Sequence, residues 1–215
     1  MSFEISSMNN FQLKSWAQKC DADSNGKIED DELLIFQQGK ENMHKDGGLY
    51  ETTVDGVTLH IYDVETIKRN EKGAKFDNTV KFKTGVTLEY DKQAEGNEAS
   101  AVSMIPCEGN FDTISSFRNI TDGDGFKVKG TRGKDEFDAK NCKIDTIDGL
   151  ASKDKAYISS SIGSGNKSIF AEKVFILNSD DLVAKPTSKK ILRPTGNEQV
   201  LYINKANPNG EYGGY

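Results

Sequence analysis

The sequence predicts an α+β protein in which an N-terminal helix-loop-helix precedes a predominantly β domain. Three observations carry this. Apolar residues recur at helical spacing on either side of an Asp/Asn/Gly-rich stretch in the first 46 residues. From Leu49 onward the chain changes to short alternating segments rich in Val, Ile, Thr, Phe and Tyr, and Gly, Asn and Asp punctuate those segments about every ten residues. The adjacent glycines of Lys45-Asp46-Gly47-Gly48 neither prolong a helix cheaply nor open a strand well, so they mark a junction. The expected organisation is a helical unit over 1–46, a β-rich domain over 47–185, and a final strand with a flexible tail over 186–215.

Each element has its own signal. Leu13, Trp16, Ala17 and Cys20 share one face of the first helix, and Leu33 with Phe36 continues the pattern in the second. In YETTV-DG-VTLHI, Asp55-Gly56 supplies the positive φ angles of a two-residue type I′ turn. That turn fixes the register: Val54 opposes Val57, Thr52 opposes Leu59 and Tyr50 opposes Ile61 on a buried face, with Glu51 beside His60 on the other. The segments Thr79–Lys83 and Val86–Tyr90 cannot close through Thr84-Gly85 alone without placing Val86 against Lys83. Either a three-residue loop with a bulge sets Phe82 opposite Leu88, or the two do not pair.

Between residues 110 and 180 short strands alternate with polar turns. Gly130 to Asp135 and Gly149 to Asp154 share Gly, Lys and Asp at the same places, and Val128 matches Ile147 ahead of them. A coil of this kind reads as a β-solenoid, with a sandwich or barrel of short strands as the alternative. A last strand is expected over Gln199–Ile203. The final ten residues offer little apolar surface to offset the entropy of ordering and are expected to be loosely held.

Composition excludes several functions. The net charge of −6 repels a phosphate backbone, so nucleic acid is not an expected partner. No apolar run reaches the roughly 18 residues of a membrane helix, and MSFEISSMNN lacks the pattern of a secretory signal. The compartment is left open between the cytoplasm and export by a signal-independent route. Cys20, Cys107 and Cys142 are odd in number and widely spaced, which reads as structural thiols rather than a zinc site or disulfide framework. With His44 and His60 the sole histidines, carboxylates are the main chemical resource, and His60 is assigned no chemistry beyond pairing with Glu51.

The strongest signal is Asp21-Ala-Asp-Ser-Asn-Gly-Lys-Ile-Glu-Asp-Asp-Glu32, which fits D-x-[DN]-x-[DN]-G-x5-E at every specified place. Asp21, Asp23 and Asn25 offer oxygens to one side of an ion, and Gly26 permits the sharp turn. The loop resembles those of the EF-hand calcium-binding family, a likeness that covers about residues 8–40 and says nothing of the remainder. It implies a Ca2+ site in which Lys27 contributes its backbone carbonyl, Glu29 acts through a water, and Glu32 supplies both carboxylate oxygens. Such loops normally pair through a short strand at the eighth place, here Ile28, and no second loop is visible: Asp122-Gly123-Asp124-Gly125 is followed by Phe126 and Lys127 where a ligand and the glycine belong. Ile28 is therefore expected to pair with a second copy of the chain or with an edge of the β domain, making a protein partner or homodimer an expectation.

Weaker constellations point elsewhere. Asp122, Asp124, Asp145 and Asp148, with Lys127, Lys129 and Arg132 near in sequence, could line an acidic and basic cleft, and Asn119 to Gly123 faintly resembles turns of right-handed β-helix polysaccharide lyases and hydrolases. The two Gly-to-Asp turns are similar to those of repeats-in-toxin β-rolls, although Gly-Gly is absent and a lysine precedes each Asp. Gly163 to Ser168 lacks the glycines of a phosphate loop. No nucleophile motif is present, and no catalytic residue is assigned. The leading reading is a calcium-binding structural or interaction module, which leans away from an enzyme. The alternatives are a carbohydrate-active enzyme stabilised by calcium and a surface adhesin.

Overall fold

A computed structural model of the chain describes residues 2–46, 49–103, 111–120, 126–139, 142, 144–150, 152, 154–159, 168–170, 173–177, 199–204 and 207–212. Asn10 opens the first helix, α1 (Phe11–Cys20), by accepting the Leu13 N–H at 3.0 Å, which satisfies one of the helix's unpaired donors. Trp16, Ala17 and Cys20 are buried and Leu13 is half-buried, as the spacing requires. The second helix, α2 (Asp30–Glu41), begins with a reciprocal capping box between Glu29 and Glu32 and carries Asp30, Asp31 and Glu32 in its first turn, where negative charge suits the helix dipole. The helices meet at Gly39, where a Cβ would strike the Trp16 ring, while the Trp16 indole N–H donates to the Phe36 carbonyl at 3.2 Å.

Strands make up most of the rest. β1 (Phe3–Glu4) pairs antiparallel with β2 (Lys27–Ile28) as a separate two-stranded ladder. One large sheet contains β3 (His44–Asp46), β4 (Leu49–Val54), β5 (Val57–His60), β9 (Asn97–Ser103), β10 (Thr113–Arg118), β12 (Asp135–Ala139), β14 (Lys155–Ser159), β16 (Lys173–Leu177), β17 (Gln199–Asn204) and β18 (Asn207–Tyr212). Its spatial order is β18-β17-β16-β14-β12-β10-β9-β5-β4-β3. The second sheet runs β15-β13-β11-β8-β7-β6, from β6 (Val64–Arg69), β7 (Asn78–Phe82), β8 (Thr87–Tyr90), β11 (Phe126–Lys129), β13 (Thr146–Asp148) and β15 (Ser168–Phe170). Buried residues of both sheets and both helices form one continuous core, with α1 packed on β6 and α2 on β4 and β6.

This corrects the α+β expectation with a solenoid. Among the described residues the protein is mostly β, with two α-helices of ten and twelve residues, and its sheets are mixed rather than a regular coil. Residues 44–103 contribute antiparallel hairpins to the same sheets as the later strands. Parallel pairing begins at β5 with β9 and resumes beyond β10, with unequal steps: Ser115 lies beside Phe137, Phe137 beside Ala156, Ala156 beside Val174 and Val174 beside Val200. The physical reason is the turn chemistry of the first half, where tight Asp-Gly and Thr-Gly connections force neighbouring strands to run antiparallel.

The first hairpin has the expected register. Val54 opposes Val57, Thr52 opposes Leu59 and Glu51 opposes His60, around Asp55 at φ 48° and Gly56 at φ 83°. His60 Nε2 lies 2.9 Å from Glu51 Oε1. The second hairpin does pair, but a step away from the expected register: Val80 faces Leu88, and the Phe82 N–H donates to the Val86 carbonyl across a Lys83-Thr84-Gly85 loop. The two Gly-to-Asp turns stack. Val128 lies beside Ile147, and the Asp135 N–H donates to Asp154 Oδ1 at 3.0 Å, so the repeat spacing is the distance between stacked turns. The expected last strand is β17, and residues 207–212 add β18 antiparallel to it, since a backbone ladder needs no apolar side chains.

Candidate metal centre

The loop between α1 and α2 is shaped by its own carboxylates. Asp21 Oδ1 and Oδ2 accept the N–H groups of Asn25 and Gly26 at 3.0 and 2.9 Å, which folds the first half of the loop back on itself. Ser24 and Gly26, at φ 60° and 81°, make the reversal. Asp23 Oδ1 also accepts the Asn25 N–H, at 3.0 Å. The second half is tied back by Glu32, whose Oε1 accepts the Ala22 N–H at 2.7 Å and whose Oε2 accepts the Glu29 N–H at 3.4 Å.

Three of the expected ligands come together. One carboxylate oxygen each from Asp21, Asp23 and Glu32 lies within 4.8 Å of the others, with Asp21 and Glu32 buried and Asp23 exposed. Asn25 and Glu29 join them at the rim: the Asn25 amide Nδ2 bridges Asp23 Oδ2 at 2.8 Å and Glu29 Oε1 at 3.1 Å, while its Oδ1 accepts the Lys27 N–H at 2.8 Å. Lys27 lies in β2 and its ammonium reaches Glu4 at 3.3 Å, on the side of β1. The donor set is all oxygen, which fits a hard divalent cation such as calcium. The Cys20 thiol beside it is no competitor, since burial, reinforced by the Glu32 charge, pushes its pKa well up and keeps it protonated.

Electrostatics expose what such an arrangement costs without a cation. Burial raises the Glu32 carboxyl above its ordinary range; the Ala22 and Glu29 N–H groups lower it in part, and the nearby charges of Asp23 and Asp21 raise it again. The Asn25 amide screens the rim by giving its protons to two carboxylates at once.

A cleft of about 630 Å³ opens beside the loop, with Ala22, Asp31 and Glu32 on one wall and Lys68, Lys75 and Lys127 among the groups on the other. Sequence reasoning missed it, because the wall opposite the loop comes from β6, β7 and the connection between them together with β8 and β11, and β8 pairs with a β11 far along the chain. Sequence reasoning also missed that Ile28 pairs with the chain's own Phe3 rather than with a sheet edge or a second copy. Phe3-Glu4 is too short to be recognised as a strand.

The weaker constellations do not gather into a cleft among the described residues. Asp122 and Asp124 lie outside them, as do residues 163–167 of the Gly/Ser turn. Asp148 caps its own turn by accepting the Leu150 N–H at 3.0 Å, Asp145 donates its N–H to Phe126, Lys127 pairs with Glu89 at 2.9 Å and Arg132 is exposed. In the stacked turns Asp135 is fully buried and used up by Thr113 and Thr131, at 2.6 to 3.2 Å. No helix among the described residues is long and apolar enough to cross a membrane. Compared with protein-family models, curated proteins and solved structures, the chain matches none.

Proposed function

We propose that the 21–32 loop is an EF-hand-like calcium site and that the protein is a calcium-binding structural or interaction module. The convergence of Asp21, Asp23 and Glu32 carries this reading. Asn25, the Lys27 carbonyl and Glu29 would supply the remaining oxygens, Glu29 through a water, as the resemblance implies. A bound cation supplies positive charge to a cluster that otherwise repels itself. The chain's own part is to hold the carboxylates in place: Asp21 and Glu32 tie the end of α1 to the start of α2, so binding free energy becomes free energy of holding the helices together.

The helices in turn are fastened to the sheets. Thr52 Oγ1 donates to the Gly39 carbonyl at 2.5 Å, and Gln38 Nε2 donates to Asp55 Oδ1 at 3.1 Å. Occupancy of the loop is thus expected to stabilise the β core as well. Calorimetric titration of the full chain with calcium tests the reading, with Glu32→Gln as the comparison: one saturable site in the wild type, lost or greatly weakened in the variant, where the bidentate charge is gone. Equal uptake by both chains would place the ion elsewhere.

A further inference from the structure

We infer that the N-terminal residues Phe3 to Ile5 do in cis what a second calcium loop would otherwise do, and so set the affinity of the site. This rests on the calcium reading of the 21–32 loop. The observation is the backbone ladder. Phe3 pairs with Ile28 and Glu4 with Lys27, and the Ile5 N–H donates to the Gly26 carbonyl at 3.0 Å. Three consecutive loop residues, 26 to 28, are therefore held by three consecutive residues from the chain's start.

Those loop residues matter because they lie between the two halves of the ligand set. Asp21 and Asp23 precede them, Glu29 and Glu32 follow them, and Lys27 is the residue whose carbonyl would face an ion. A strand pairing removes the backbone freedom of a segment that would otherwise have to be ordered when the ion binds. Ile28 is fully buried and Ile5 nearly so, in one core cluster with Trp16 and Ile35, so the ladder is anchored from below. Glu4 also pairs with the Lys27 ammonium at 3.3 Å, a second link between the same two strands. Ile5 and its neighbours touch no ligand oxygen; they are positioning residues.

The local geometry allows a clean test. Ile5 opens a 3-10 turn (Ile5–Ser7), and Glu4 ahead of it is extended at φ −73° and ψ 120°, the conformation that a following proline requires. Ile5→Pro therefore deletes the N–H that holds Gly26 without demanding a new backbone path. Ile5→Val keeps that N–H and most of the apolar contact.

Calcium affinity is measured by calorimetry on the full-length wild type, Ile5→Pro and Ile5→Val, alongside the melting temperature of each in chelator. Ile5→Pro is expected to bind about tenfold more weakly, as loss of a group supporting the ligand shell does at other metal sites, with Ile5→Val close to wild type. Folded Ile5→Pro with wild-type affinity would overturn the inference and leave the calcium site standing; a wild type that takes up no calcium would overturn both. Should Ile5→Pro fail to fold, hydrogen exchange on the wild type decides. Slow exchange of the Ile5 amide in chelator is expected, and an Ile5 amide as fast as that of an open chain, with or without calcium, would contradict a preformed ladder.

Discussion

Asp55 illustrates how far a residue's role can exceed its local signature. Its sequence context says only that it opens a tight turn, and it does, at φ 48°. Its carboxylate is also buried and receives Arg69 Nη2 at 2.6 Å, Asn78 Nδ2 at 2.7 Å and Gln38 Nε2 at 3.1 Å, joining β6, β7 and α2 at one point. Burial opposes its ionisation, yet the Asn78 and Gln38 hydrogen bonds and the Arg69 charge together outweigh that and hold the carboxyl below its usual range. The sign follows from the direction. A carboxyl whose folded pKa is depressed contributes stability that is present above the ordinary Asp value and is lost as pH falls through the folded value. Asp55→Ala should cost about 1 to 3 kcal/mol near neutral pH, because it leaves the half-buried Arg69 guanidinium and the Asn78 amide without their acceptor. Urea unfolding across pH 7 to 3 checks this: the gap between wild type and variant should narrow on acidification, and a gap independent of pH would contradict the charged role. Glu32 shows the opposite sign. Its folded carboxyl is raised, so in calcium-free protein its contribution is full below the ordinary Glu value and is lost as pH rises through the folded value.

Elements were legible where local chemistry decides them. The first hairpin's register follows from Asp55-Gly56 and the alternation of Val54, Val57 and Leu59, and the loop between the helices is written in Asp21, Asp23, Gly26 and Glu32. What sequence could not show was decided by which partner each segment meets in the fold. Phe82 takes Val86 rather than Leu88 because a three-residue loop with Gly85 at φ 94° closes the hairpin one step earlier. β18 forms because β17 offers an edge, and β1 forms because Lys27 and Ile28 do. The close approach of α1 and α2 depends on Gly39, which in sequence is a mere weak spot in a helix. Gly39→Ala should favour the isolated helix yet destabilise the protein by about 1 to 3 kcal/mol, since the added methyl meets the buried Trp16 ring. Thermal unfolding with Trp fluorescence reads both the loss and the displaced indole; an unchanged melting temperature would show that the helices can part without cost.

Across the whole molecule, the helices, the loop and both sheets share one core, so a ligand held at residues 21–32 acts on the stability of all of them. Calcium at about one hundred times its dissociation constant should then raise the unfolding free energy by roughly 2.7 kcal/mol, in a single transition seen alike by far-UV circular dichroism and by Trp16. Two transitions, with calcium moving only the helical signal, would separate the loop from the β core. The most direct test of the central claim is calorimetric titration of the full chain with calcium beside Glu32→Gln. The account requires one saturable site in the wild type that is lost or greatly weakened in the variant. A wild type that takes up no calcium at millimolar concentration, or a Glu32→Gln chain that binds it equally well, would contradict it.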